Sequence, residues 1–97
     1  RKLENIVYME LLRRGEKCYF SKNKFECDFI IPKKEAIQVS WELTDENKKR
    51  EVKGLLEAMK YHRVKKGTIL TYNEDGEIKE GGQTIKIMPV WKWMIGK

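Results

Sequence analysis

The sequence that decides the fold is residues 25–41, FECDFIIPKKEAIQVSW, which contains two strand patterns joined by a short polar turn. Apolar side chains take every second position over residues 25–31 and again over residues 36–41, as in strands that bury one face. The intervening Pro-Lys-Lys-Glu is typical of a hairpin connection. We therefore predict two neighbouring strands that pair through this turn.

Hydrophobic periodicity predicts helices on both sides of these strands. In the first helix Glu10 falls near the middle of the apolar arc, so it needs a partner such as Arg14. Thr44 or Asp45 is the expected cap of the second helix. The predicted apolar arcs are Leu3, Ile6, Val7 and Leu11 in the first helix, and Val52, Leu55, Leu56 and Met59 in the second. In chain order, the predicted elements are a helix over 2–14, strands over 17–22, 25–31 and 36–41, a helix over 46–63, a strand over 68–72, a hairpin over 77–88 around Gly81-Gly82, and a short helix from Pro89.

This α-β-β-β-α-β order, with a C-terminal hairpin and short helix, predicts an α/β fold with a mixed sheet and helices on its faces. The 97 residues suit one domain, over residues 1–97, and the start without an initiator methionine suggests a C-terminal fragment of a larger protein. No apolar run approaches the roughly 20 residues that span a bilayer. Cys18, Cys27 and the single His62 give neither a disulfide framework nor a zinc pattern. We therefore expect a cytoplasmic domain that makes no membrane contact.

The formal net charge of +6 is concentrated in one segment of the chain. Residues 48–66 hold eight Lys or Arg against two Glu, while the remainder is close to neutral. Concentrated positive charge attracts polyanions such as DNA, although a Lys-rich helix often presents only a solvated face. The candidate nucleic-acid-binding residues are Lys49, Lys53, Lys60, Arg63, Lys65 and Lys66.

One cluster of polar side chains is expected on the sheet. Asp28, Gln38 and Ser40 point to the same face of adjacent strands, because two-residue steps preserve the face. Glu4 flanks the apolar arc of the first helix and reaches that face if the helix packs there. In metal nucleases, a helix carboxylate and a strand carboxylate lie beside an acid-x-lysine pair on the next strand. The acids hold Mg²⁺, and the lysine stabilises charge at phosphate. Each residue also has an alternative without metal chemistry. Glu4 would be an ordinary acid in the first turn of a helix, Asp28 would form a salt bridge, and Gln38 and Ser40 would hydrogen-bond to each other or to solvent.

Three stretches in this order carry a resemblance to a known family: LENIV…EL from residue 3, ECDFII over 26–31 and IQVS over 37–40, followed by the LLEAM helix. The chain resembles the PD-(D/E)XK, or restriction-endonuclease-like, superfamily. It is most similar to the nuclease-like domain that lies C-terminal to the ATPase domain in a group of archaeal and bacterial AAA+-type ATPases. The resemblance extends from Leu3 to about Trp93 and implies a restriction-endonuclease-like fold.

The resemblance also implies roles for four residues. Glu4 matches the acid of the first helix, and Asp28 matches the central metal-binding aspartate. Gln38 stands where the family has glutamate, and Ser40 stands where it has lysine. Glutamine offers a carbonyl without charge, and serine has neither the cation nor the reach of lysine. Because losing one such group typically costs several kcal/mol of transition-state stabilisation, the resemblance implies a degenerate catalytic set.

Three functions follow as hypotheses. The first is an inactive nuclease-like accessory domain of an ATPase that binds DNA through the basic helix. The second is a regulatory module that docks on its own ATPase domain or on a partner through the tryptophan-rich C-terminal helix. The third is a residual metal-dependent nuclease, which alone would need Mg²⁺ or Mn²⁺, held by Glu4 and Asp28. No small-molecule substrate or other cofactor is expected, because the chain has no glycine-rich phosphate loop and no nucleophile triad.

Overall fold

The computed structural model describes residues 2–21 and 27–96. The predicted turn over 22–24 and the first two residues of the strand predicted from 25 lie outside this range. The predicted α/β element order is confirmed. In chain order, the elements are α1 (Lys2–Arg13), β1 (Tyr19–Ser21), β2 (Cys27–Ile31), β3 (Glu35–Val39), α2 (Lys48–His62), β4 (Lys66–Thr71), β5 (Gly76–Glu80), β6 (Gln83–Pro89) and α3 (Val90–Gly96).

The strands form one six-stranded mixed sheet in the order β1-β2-β3-β4-β6-β5. The first three strands are an antiparallel meander, and β3, β4 and β6 run parallel through the centre. The edge strand β5 returns from β6 as an antiparallel hairpin. Its turn residues Gly81 and Gly82 both have positive φ, of 61° and 77°, which a two-residue hairpin turn requires and glycine adopts without strain.

Each face of the sheet carries its own hydrophobic core, because alternate side chains point to opposite faces. On β3, Ala36 faces α2, whereas Ile37 and Val39 face α1 and α3. The core under α2 contains Ile30, Ala36, Val52, Leu55, Ala58, Met59, Val64, Ile69, Ile85 and Ile87. The core under α1 and α3 contains Leu3, Val7, Leu11, Phe29, Ile31, Ile37, Val39, Leu70, Val90 and Trp93.

Buried Glu10 links α1 to α3 and has the partner that its position demanded. Its carboxylate accepts hydrogen bonds from Arg13, at 2.9 and 2.7 Å, and from Arg14, at 2.7 Å. These two guanidinium groups hold the pKa of Glu10 at about 2. Arg14 also donates to the carbonyl oxygen of Trp93 at 2.7 Å and lies 4.4 Å from the centre of its ring. The ion pair therefore fixes how α3 packs against α1.

Neither the cap of α2 nor its buried stripe is as predicted. The N-cap is Asn47 rather than Thr44 or Asp45, because the chain makes a turn before the helix begins, and the Asn47 side chain accepts no hydrogen bond from the first turn of α2. Thr44 Oγ1 accepts from the Asn47 backbone N–H at 3.1 Å, and Asn47 Oδ1 accepts from the Thr44 N–H at 2.8 Å, so these two residues close the turn before the helix. Leu56, predicted as buried, is only half-buried. Glu51 is buried instead, beside Val52, Leu55, Ala58 and Met59. A carboxylate therefore points into the interface between α2 and the sheet.

The topology brings several chain segments together at one end of the sheet. The parallel strands β3, β4 and β6 all finish there, α2 begins there, and antiparallel β2 starts there beside the end of β3. The carboxyl ends of parallel strands are where loops most readily build binding sites. Among residues 2–21 and 27–96, no helix is long and apolar enough to cross a membrane.

Candidate functional site

Asp28 and Gln38 lie side by side where β2 begins and β3 ends. The backbone N–H of Asp28 donates to Gln38 Oε1 at 3.1 Å, and the backbone N–H of Val39 donates to Asp28 Oδ2 at 2.8 Å. Beyond the last paired residues, Phe29 and Ile37, hydrogen bonds between side chain and backbone thus continue to join β2 to β3. The structure brings together the strand aspartate and the glutamine that the sequence placed on one face.

Glu51 on α2, which is not among the residues predicted from the sequence, completes this cluster. Its Oε1 accepts a hydrogen bond from Gln38 Nε2. Its Oε2 accepts from Arg50 at 3.3 Å, so a guanidinium joins the edge of the cluster. A signal for Glu51 was present, because it lies four residues before Leu55 and seven before Ala58, on the buried arc of α2. A charged residue at such a position requires partners, as Glu10 does in α1.

The environment of Asp28 raises the pKa of its carboxyl group from 3.8 to about 6. Burial, which disfavours the charged form, is the largest cause, and the hydrogen bond from the Val39 N–H opposes it. The negative charges of Glu4 and Glu51 and a hydrogen bond with Glu4 raise the pKa further. The charges of Glu4 on α1 and Glu51 on α2 therefore both act on the Asp28 carboxyl group.

Ser40 does not join the cluster. It follows β3, is half-buried, and its hydroxyl donates to the backbone carbonyl of Glu42 at 3.1 Å. Its backbone N–H donates to the Leu70 carbonyl and extends the pairing of β3 with β4. In this structure Ser40 therefore shapes the loop before α2. Across residues 2–21 and 27–96, no three His, Cys, Asp or Glu side chains are arranged so as to hold a metal ion.

The basic segment covers the solvent side of α2 and the turn that follows it. Lys49, Lys53 and Lys60 share one helix face and are exposed, and they make no ion pair with the described part of the chain. Their positive charges are therefore available to a ligand in solvent.

The other predicted basic residues lie at the far end of α2. Arg63 adopts a left-handed conformation with φ of 57°, which ends the helix, and Lys65 follows in the turn. Both are exposed. Lys66 lies 3.8 Å from Glu35, so its charge is partly offset. The strongest uncompensated charge is thus on the helix itself.

The chain is similar to an uncharacterized protein from Methanocaldococcus jannaschii, with 39% identity over 108 aligned residues. The alignment covers 98% of this chain and 24% of that protein, so the chain spans about a quarter of its relative's length. No protein-family model matches the chain. No solved structure matches it either.

Proposed function

We propose that this domain is a restriction-endonuclease-like module that binds DNA through α2 and has an incomplete cleavage site. The observation that carries the proposal is the row of exposed, unpaired cations on the outer face of α2, Lys49, Lys53 and Lys60. The phosphate backbone contributes most of non-specific DNA affinity, and lysines spaced along one helix face can contact successive phosphates. The excess charge of the chain lies on this helix and the turn after it.

The proposal that cleavage is lost rests on the composition of the carboxylate cluster. Where the family has an acid-x-lysine pair, this chain has neutral Gln38 and a Ser40 whose hydroxyl is bonded to the backbone of Glu42. No amine is therefore delivered at that position to stabilise charge developing on a phosphate. We further propose that the domain belongs to a larger ATPase, which uses it to engage DNA in the cytoplasm.

The test is DNA binding across a salt series, with double-stranded and branched oligonucleotides. The triple variant Lys49→Glu, Lys53→Glu, Lys60→Glu should lose at least about tenfold in affinity and should have a shallower salt dependence, because each lost phosphate contact removes about 0.9 from the slope. The matched control, which makes the same charge change at exposed lysines outside α2, is Lys17→Glu, Lys79→Glu, Lys86→Glu. Equal losses in both variants, or no binding by the natural chain at low salt, would contradict the proposal.

A second function, docking on the ATPase domain of the same protein, is favoured by an apolar surface between α1 and α3. Ile6, Met9 and Leu12 form an exposed row on α1, with Ile95 exposed on α3. An apolar groove runs between them, lined by Asn5, Ile6, Met9, Glu10, Arg13 and Met94. In α3, Trp93 packs in the core and holds the helix on the domain, whereas Trp91 is exposed and can contact a partner. Binding through this surface would persist at high salt, whereas phosphate contacts would not.

The third function, residual cleavage, is tested separately. Incubation of supercoiled plasmid with Mn²⁺ or Mg²⁺ should give no nicking if the site is inactive. Nicking that requires metal and disappears in Asp28→Ala would instead identify a working nuclease that uses Glu4, Asp28 and Gln38.

A further inference from the structure

Three exposed aromatic side chains are grouped at the end of the sheet where the parallel strands finish. Trp41, Tyr72 and Trp91 are 59%, 56% and 55% exposed. The rings of Trp41 and Tyr72 stack with their centres 4.5 Å apart and their planes 13° from parallel. The indole N–H of Trp91 donates to Asn73 Oδ1 at 3.3 Å, which ties the third ring to the loop that carries Tyr72. Large aromatic rings left in water at one place are typical of a binding surface.

The two loops that carry the stacked rings are bonded to each other. The backbone N–H of Tyr72 donates to the Trp41 carbonyl at 3.0 Å, and the Leu43 N–H donates to Glu74 Oε2 at 2.9 Å. Thr71 closes the second loop, since its hydroxyl both donates to the Glu74 carbonyl and accepts from the Glu74 N–H. The rings are therefore held in place before any ligand arrives, which lowers the entropic cost of binding.

The charge around these rings is opposite to that of α2. Residues 41–47 and 72–77 hold six carboxylates and no Lys or Arg. Two of the six are already engaged, because Lys92 pairs with Asp75 at 2.7 Å and Glu74 accepts from Leu43. Glu42, Asp45 and Glu46 are exposed and make no ion pair with residues 2–21 or 27–96. These carboxylates favour a cation over a phosphate beside the rings, while the basic start of α2 follows directly at Lys48.

From this combination we infer that the Trp41–Tyr72 surface binds an arginine- or lysine-bearing segment of a partner protein. A guanidinium or ammonium group gains from lying over an aromatic face and from nearby carboxylates, and the two effects act together on the same ligand. The stacked pair presents such a face, and the exposed carboxylates of Glu42 and Glu46 follow Trp41 in the chain. This inference is independent of the proposed DNA binding through the outer face of α2. It gives the domain a basic surface and an acidic aromatic surface with different partners.

The experiment measures binding of two fluorescently labelled short peptides to the purified chain. One carries several arginines among glycine and serine, and the other has each arginine replaced by citrulline, its uncharged isostere. The arginine peptide should bind, and the citrulline peptide should bind at least about tenfold more weakly. The variant Trp41→Ala, Tyr72→Ala should lose about tenfold in affinity for the arginine peptide, and Glu42→Gln, Glu46→Gln should reduce both affinity and its salt dependence.

Matched controls lie at the opposite end of the sheet. Tyr61→Ala removes a ring that is 67% exposed near the end of α2, and Glu80→Gln removes an exposed carboxylate at the end of β5. Both controls should leave peptide binding unchanged, and the variants of the rings should leave DNA binding unchanged. Because Trp41 and Tyr72 are exposed, their replacement should retain the circular dichroism spectrum and melting temperature.

Three results would overturn the inference. The first is equal affinity for the arginine and citrulline peptides. The second is an effect of the control variants as large as that of Trp41→Ala, Tyr72→Ala. The third is loss of single-stranded oligonucleotide binding, with no loss of peptide binding, in the same ring variant, which would assign the rings to base stacking instead.

Discussion

Asp28 should make the domain less stable as the pH rises from 4 to 7. Its carboxyl pKa is raised from 3.8 to about 6 in the folded state, so within this interval the folded protein binds more protons than the unfolded chain. Stability that depends on the bound proton is therefore complete below about pH 4 and is lost as the pH passes 6. Replacing Asp28 with Asn removes the ionisation while retaining the shape of the protonated carboxyl group.

The size of the effect follows from the pKa change. A rise from 3.8 to about 6 corresponds to at most about 3 kcal/mol, because each pKa unit is about 1.4 kcal/mol. Asp28 is only half-buried, and solvent screening reduces this to about 1–2 kcal/mol. The amide of Asn has an oxygen that can accept from the Val39 N–H and a donor that can face Glu4. Asp28→Asn should therefore be more stable than the natural chain by about 1–2 kcal/mol at pH 7.5, and equal to it near pH 4.

The assay is urea unfolding of both proteins at several pH values between 4 and 7.5. The difference between their free energies of unfolding reports on Asp28 and its coupling to Glu4 and Glu51, since the remaining titrating groups are common to both. Glu10, whose pKa is lowered to about 2 in the folded state, contributes equally to both proteins. A difference that is constant with pH, or a variant that is less stable at pH 7.5, would refute the argument that burial and neighbouring carboxylates disfavour the Asp28 anion.

Two further substitutions test the packing around the site. Gln38→Glu should lower the free energy of unfolding by about 2 kcal/mol in the presence of EDTA, because it replaces the donor to Glu51 with a second carboxylate. If the cluster can hold a cation, Mn²⁺ should restore part of this loss in a thermal melting experiment. Gly67→Ala should lower the free energy of unfolding by about 1–3 kcal/mol, because its new methyl group would overlap Met59. In urea unfolding, the double variant Gly67→Ala, Met59→Ala should lose less stability than the sum of the two single variants.

The order and type of the elements could be predicted because local signals were strong and consistent. Alternation fixed β2 and β3, the 3.6-residue period fixed α1 and α2, and the Gly81-Gly82 turn fixed the final hairpin. The position of β6 between β4 and β5 was not predicted, since strand order depends on packing between segments distant in sequence. Element boundaries moved by a few residues, as at β3, which was predicted over 36–41 and spans Glu35–Val39.

The site was predicted in part for a similar reason. Strand alternation places Asp28 and Gln38 together. The apolar arc of α1 packs instead on the opposite face of the sheet, with Ile37 and Val39, yet the charge of Glu4 still acts on Asp28. Ser40 follows the same alternation, yet its hydroxyl turns to the Glu42 carbonyl because the strand has already ended. Glu51 lies on a separate element, and only the docking of α2 on the sheet reveals that it contacts Gln38.

The contacts of Gln38 also explain why glutamate would not suit this position in this chain. The Asp28 backbone N–H can only donate, so it meets the amide oxygen, and the amide nitrogen then faces the Glu51 carboxylate. A glutamate at 38 could accept the first bond but would oppose a second buried carboxylate. The neutral amide of Gln38 is therefore compatible with the buried carboxylate of Glu51. Metal-dependent rescue of Gln38→Glu thus tests whether the carboxylates around position 38 can hold a cation, whereas the nicking assay tests whether the proposed cleavage site works without an amine at Ser40.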